Sequence, residues 1–228
     1  MPEENNTEQN KDKPKIETSA TLTAKEKSGS IIWEVVKTVG GILLFLVIFR
    51  FYIFQPFSIK GSSMEPDFHD GEYLIVNELS YHFMAPKRGD VVIFKHPEPA
   101  CTEFVESNYF NRIFFQGPCS NYIKRVIGLP GETLTIKDGK VSIKNDDDPG
   151  GFELSEPYLP SNMQTYGNQT RELKDDEYYV LGDNRAPNAS SDSREWGVLP
   201  RDHIVGKGFV ILLPFDQFGK IKAPNYNQ

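Results

Sequence analysis

Between Thr38 and Phe54 the chain carries a single charged residue, Arg50. As an α-helix this run spans about 25 Å, against a bilayer hydrocarbon core of about 30 Å. Arg50 stands near one end, where its stem can snorkel to the interface. Trp33 lies on one side and Phe51, Tyr52, Phe54 and Phe57 on the other, as interfacial aromatic belts do. Segment 31–54, which also takes in Glu34 and Lys37, is read as a single transmembrane helix. A buried core helix and a cleaved signal peptide are the alternatives. The second is disfavoured because bulky Phe51-Tyr52-Ile53-Phe54-Gln55-Pro56 stands where a small-x-small cleavage site is needed. Charge says little about orientation: the tail ahead has five Lys against six acidic residues, although Lys25, Lys27 and Lys37 gather near the anchor.

The anchor divides the chain into three parts. Residues 1–30 are rich in Glu, Asn, Lys and Thr and lack aromatics, so they cannot bury enough apolar surface to offset chain entropy and read as a disordered tail. Residues 55–228 change to short β-prone runs between turn residues. Glu72 to Leu79, Asp90 to His96, Tyr122 to Gly128 and Glu177 to Leu181 read as strands. Thr133 to Ile143 reads as a hairpin about a type I′ turn at Asp138-Gly139, with Leu134, Ile136, Val141 and Ile143 on one face. His203 to Leu213 is apolar enough for a central strand, and nothing after Phe54 has sustained helical periodicity. The prediction is a mainly β, antiparallel domain with insertions near 97–120 and 145–170.

Several functions are excluded or left without support. A net charge of -7 repels a phosphate backbone, so no nucleic acid is expected as partner. The acidic run Asp146-Asp147-Asp148 lacks calcium-ligand spacing and reads as a solvated turn. Cys101 and Cys119 are the only cysteines, without CxxC or zinc spacing, so no metal is expected. Outside the cytosol the two could pair, closing a loop worth about 3 kcal/mol; two free thiols fit the sequence equally well.

Gly61-Ser62-Ser63-Met64-Glu65-Pro66 follows the anchor directly. Such a stretch is commonly a turn, but a nucleophile here would sit at the bilayer surface. A serine hydroxyl then needs a base within hydrogen-bond reach. His69, His82, His96 and His203 are scattered among polar neighbours, and no Gly-x-Ser-x-Gly elbow is present, so each reads as a surface residue. The other route is a lysine kept neutral by burial. In Tyr122-Ile123-Lys124-Arg125-Val126-Ile127, strand alternation puts Lys124 with Tyr122 and Val126, and Arg125 with Ile123 and Ile127. Lys124 is either a snorkelling edge residue or a desolvated base. Gly182-Asp183-Asn184-Arg185, followed by Ser190-Ser191-Asp192-Ser193-Arg194, is either a polar turn or a hydrogen-bonding network that shapes a site.

With Arg88-Gly89-Asp90-Val91-Val92-Ile93-Phe94, and Gly128-Leu129-Pro130-Gly131 closing the lysine stretch, these boxes resemble, in order and behind an anchor, the type I signal peptidases (leader peptidases) of bacterial membranes. The resemblance implies a two-part antiparallel β-sheet catalytic domain, shared with self-cleaving repressors of the LexA type. It implies Ser63 as nucleophile and Lys124 as general base of a Ser/Lys dyad, without cofactor or metal, cutting after secretory signal sequences through an acyl-enzyme. Ser190 matches a position that hydrogen-bonds the lysine amine. The Ser63 N–H matches part of the oxyanion hole. Asp183 with Arg125, and Asp192 with Arg194, match bracing ion pairs. The implied partners are preproteins with small side chains at the first and third positions before the cut, and a lipid surface met near Phe54 to Phe57 and Phe215 to Phe218. The implied location is the bacterial plasma membrane, catalytic domain outside the cytoplasm.

Three positions depart from the pattern. Gly61 stands where some members carry an oxyanion-hole serine, Asp67 replaces the usual threonine, and six residues rather than four separate Arg185 from Asp192. A self-cleaving repressor would need a DNA-binding helix pair, which the acidic tail and anchor replace. A conjugation-type maturation peptidase is a narrower variant of the same chemistry, and an anchored non-catalytic β domain is the alternative from another class.

Overall fold

Period-two apolar runs bounded by turn residues leave little but antiparallel sheet, and antiparallel sheet is what the chain forms. The computed structural model describes residues 31–46, 54–106, 119–224 and 226. Contacts divide the chain into Met1–Ile48 and Phe49–Gln228. In the first unit a helix, α1 (residues 31–46), keeps its apolar side chains exposed and pairs Lys37 with Glu34 at 2.7 Å. Residues 47–53 of the expected anchor, and the tail 1–30, lie outside the described residues. Among the described residues no helix is long and apolar enough to cross a membrane.

The second unit begins with strand β1 (Phe54–Ser58), followed by β2 (Tyr73–Asn77), β3 (Val91–Lys95), β4 (Asn121–Gly128), β5 (Thr133–Lys137) and β6 (Lys140–Lys144). Strands β7 (Phe152–Glu153), β8 (Gln169–Glu172), β9 (Glu177–Leu181), β10 (Leu199–Pro200), β11 (Ile204–Leu213) and β12 (Gly219–Lys220) complete it. Helices α2 (Ser80–Phe83), α3 (Pro99–Glu106) and α4 (Ser193–Trp196) are short. The strands make an 8-stranded sheet of order β1-β2-β11-β3-β4-β9-β10, with β12 also on β11, and a 4-stranded sheet of order β7-β6-β5-β8. Every pairing is antiparallel. Pro56 is tolerated in β1 because that strand is an edge, where a missing N–H breaks no ladder.

The expected hairpin is β5–β6. Asp138 and Gly139 both take positive φ, 51° and 80°, as a type I′ turn requires. Leu134, Ile136, Val141 and Ile143 are all buried there, with Ile127 of β4 and Tyr179 and Leu181 of β9 in the same core. β4 and β9 therefore run from the large sheet into the packing of the small one. Two further clusters serve the large sheet: Ile59, Met64, Phe68, Leu74, Val76, Val91, Ile93 and Ile123 in one, Tyr81, Val92, Phe94, Val126, Tyr178, Val180, Leu199 and Ile204 in the other.

Within the insertion near 97–120, α3 carries Cys101, and a disulfide joins it to Cys119 with Cα atoms 5.0 Å apart. The question the sequence left open is answered in favour of pairing.

A buried ion pair clips the turn before β3 to the end of β4. Arg88 donates to Glu132 and to the Ile127 carbonyl, and Glu132 also accepts from the Leu129 N–H at 2.8 Å. Both side chains are buried. Removing one partner strands the other charge away from water, at a cost of about 3–5 kcal/mol. Glu132→Ala is expected to lower unfolding stability by that amount in urea titration, and Arg88→Met/Glu132→Leu to lose much less.

Candidate active site

The loop between β1 and β2 presents Ser63, and the residue after it explains how. Met64 is fully buried and Phe68 nearly so, both in the core cluster that includes Ile59, Leu74 and Ile123. The Phe68 N–H donates to the Met64 carbonyl at 3.0 Å, closing a turn, and the Gly61 N–H donates to Asp70 Oδ1 at 2.6 Å. The Gly61 N–H is thus already engaged. Among the described residues nothing accepts from the Ser63 N–H.

Lys124 comes from the centre of β4, opposite Val92 of β3. Its side chain shares a face with Tyr122, whose ring centroid is 5.8 Å from Nζ. Residue exposure is 2%, so this is no snorkelling edge residue. Lys124 Nζ donates to Ser63 Oγ at 2.7 Å and to the Ile123 carbonyl at 2.7 Å. Burial pushes the amine down from 10.5 to about 8; Arg194 acts in the same direction, and Asp192 and Asp183 oppose it. An amine substantially neutral near pH 8, in contact with a hydroxyl, can accept that hydroxyl's proton.

The stretch after β9 docks onto the serine loop. The Asn184 N–H donates to the Ser63 carbonyl at 3.1 Å, and its side-chain amide to the Ser62 carbonyl at 3.2 Å. Gly182 is obligatory: a Cβ there would collide with Ser190 Oγ and the Ser63 carbonyl oxygen. Ser190 is therefore beside the dyad, but its hydroxyl makes no hydrogen bond to Lys124 and meets no partner at hydrogen-bonding geometry. It lies close enough to Asp192 to help hold that carboxylate ionised. Burial alone would raise the Asp192 carboxyl; Arg194, the Gly182 N–H and Ser190 outweigh it and hold it below the ordinary value.

Arg194 donates to Asp192 at 2.8 and 2.7 Å and to the Arg185 carbonyl at 2.8 Å. Arg125 forks onto Asp183 at 2.7 and 2.6 Å and stacks 4.2 Å from the Tyr158 ring. Arg125 Nη2 also reaches Asp67 at 2.8 Å. The structure thus brings all the sequence-derived residues to one place, Gly61, Ser63, Lys124, Arg125, Asp183, Ser190, Asp192 and Arg194. It adds Asn184, Gly182, Asp67 and Tyr158. Asn184 and Gly182 stood in a quoted box without a role, and Asp67 was visible only as a departure.

No histidine joins them. His203 is buried, contrary to the surface position expected of it, because it packs under β3 with Nδ1 3.0 Å from the Lys95 carbonyl. Among the described residues no group of His, Cys, Asp and Glu could hold a metal ion.

The family described as signal peptidase, peptidase S26, matches residues 32–213. A signal peptidase I of Leptolyngbya laminosa is 33% identical over 213 residues, covering 92% of this chain and 94% of that protein. Signal peptidase I T of Bacillus subtilis strain 168 is 33% identical over 215 residues, covering 90% and 97%. A crystal structure of a signal peptidase I from Enterococcus faecalis V583 is 26% identical, with a TM-score of 0.37, over 54% of this chain and 97% of that one.

A buried amine that gives up its proton near pH 8 when folded and near 10.5 when unfolded destabilises the fold at neutral pH. Between those values the unfolded chain binds more protons, so stability rises with pH. Below pH 8 the whole penalty, about 3 kcal/mol, is present. Lys124→Met is expected to gain about 1–3 kcal/mol at pH 7 by urea unfolding, a gain that shrinks as pH approaches 10.5.

Proposed function

The chain belongs to the signal peptidase family, peptidase S26, and on that premise we propose that Ser63 and Lys124 are the dyad with which this serine peptidase removes signal peptides. The observation that carries the assignment is the 2.7 Å hydrogen bond between the Ser63 hydroxyl and a lysine amine that burial leaves weakly basic.

Lys124 Nζ takes the proton as Ser63 Oγ attacks the scissile carbonyl, whose oxygen gathers negative charge. The uncommitted Ser63 N–H stabilises that oxyanion. The lysine ammonium then protonates the departing amine, leaving the signal peptide esterified to Ser63. The neutral amine next takes a proton from water, the resulting hydroxide attacks the ester, and Ser63 Oγ leaves with that proton. Ser190, whose hydroxyl does not reach the amine, is assigned the support of Asp192 beside the dyad, on the strength of its buried place against Gly182. Arg125–Asp183 and Arg194–Asp192 hold the surrounding loops. Gly61 contributes shape to the oxyanion region, its N–H being held by Asp70.

The substrates proposed are secretory preproteins lying extended along a sheet edge, with small residues at the first and third positions before the cut. Segment 31–54 is assigned as the anchor in the bacterial plasma membrane, with the catalytic domain on the extracytoplasmic side. The Cys101–Cys119 disulfide supports that side, since disulfides persist in oxidising compartments. Phe215 and Phe218, 80% and 63% exposed, are proposed to rest on lipid.

Detergent-solubilised protein is expected to cut a preprotein with an alanine-x-alanine signal sequence at one bond. Ser63→Ala and Lys124→Ala should each lose at least about a thousandfold in rate, and persistence in either would sink the dyad. The parent rate should rise with pH through a limb near 8, where the amine of Lys124 deprotonates. For the lipid contact, residues 54–228 with Phe215→Ser/Phe218→Ser should bind anionic liposomes more weakly than the parent segment; equal binding removes that role.

A further inference from the structure

Asp67 stands four residues after Ser63, within the turn that Met64 and Phe68 pin to the core. Its carboxylate is 2.8 Å from Arg125 Nη2, and the two side chains are 34% and 1% exposed. Among the described residues this is the one ion pair between the loop that bears Ser63 and the strand that bears Lys124. The same Nη2 donates to Asp183 at 2.6 Å, so both of its protons are committed, while Nη1 donates to the Gly89 carbonyl at 3.2 Å. A planar guanidinium held on so many sides cannot swing to follow a drifting loop.

The consequences converge on one bond. Arg125 follows Lys124 in the chain, so whatever holds Arg125 also holds the backbone that carries the base. Asp183 is followed by Asn184, which grips the Ser62 and Ser63 carbonyls. Arg125 thereby takes hold of the Ser63 loop twice, through Asp67 directly and through Asp183 and Asn184. The hydrophobic pins Met64 and Phe68 keep the loop folded, but apolar contact is non-directional and tolerates small rotations. A charge-assisted hydrogen bond from a rigid fork does not.

We propose that Asp67 is a positioning residue, which sets the Ser63 hydroxyl against the Lys124 amine by tying the serine loop to Arg125. This rests on the dyad reading above. The carboxyl of Asp67 is itself held up by burial and by Asp183, with Arg125 opposing, so its grip weakens on the acid side.

The test compares parent, Asp67→Asn, Asp67→Ala and Ser63→Ala in preprotein cleavage by the full chain, with kcat and KM resolved and thermal unfolding alongside. Asp67→Asn keeps the shape and removes the charge. It is expected to lower kcat about tenfold with KM within about twofold of the parent, with an unfolding midpoint close to parent and Asp67→Ala lower in kcat still. If Asp67→Asn keeps the parent kcat while Ser63→Ala is inactive, the positioning role is overturned and the dyad stands. A fall in kcat matched by a rise in KM and a lowered midpoint also overturns it, as general loosening of the loop. Cleavage retained in Ser63→Ala overturns the dyad, and this role with it.

Discussion

An ammonium group taken out of water loses several kcal/mol of hydration, and the site depends on that loss being left uncompensated at Lys124. Full pairing with a carboxylate would restore the proton and end its fitness for the proposed role of base. The two carboxylates that act on it, Asp183 and Asp192, are instead committed to Arg125 and Arg194. Arg194 even adds to the depression. The amine is left with a hydroxyl and a carbonyl as acceptors, neither of which carries charge. Neutral acceptors satisfy its geometry without repaying its desolvation.

The same economy explains why so many arginines are buried in a catalytic domain of this size. Arg88, Arg125 and Arg185 are each buried, and each is held by carboxylate forks and carbonyls. Arg185 binds Glu156, Thr165, the Tyr158 hydroxyl and the Gly182 carbonyl, so it shapes the loop from which Asn184 reaches the serine. Arginine suits this work because its proton is never in question, whereas a lysine in the same places would compete with Lys124 for the role of weak base.

Much of this was legible along the chain, for physical reasons that also mark the limits. Alternation wrote β5 and β6 plainly, and Glu177 to Leu181 was readable to the residue because four apolar side chains follow one another. β8, Gln169–Glu172, has no apolar side chain, and β7, β10 and β12 have two residues each; pairing alone makes them strands. His203 misled because polar neighbours in sequence conceal a site under β3. Lys124 and Ser63 could be singled out by chemistry, but alternation could not say that both faces of β4 are buried. Asp67 lay beyond reach altogether, since a carboxylate after Glu-Pro announces nothing about a guanidinium met only in three dimensions. The pairing of Cys101 with Cys119 was likewise open until their Cα separation was known.

Strand β11 lies between β2 and β3. The arm that presents Ser63, β1 with β2, and the arm that presents Lys124, β3 with β4 and β9, do not pair with each other along the sheet. They are joined through a strand that the ribosome delivers last among the long ones, far behind Lys124 in the nascent chain. Such high contact order makes assembly slow. It also makes assembly conditional: a chain arrested before Ile204 lacks the strand through which the arm bearing Ser63 and the arm bearing Lys124 pair into one sheet.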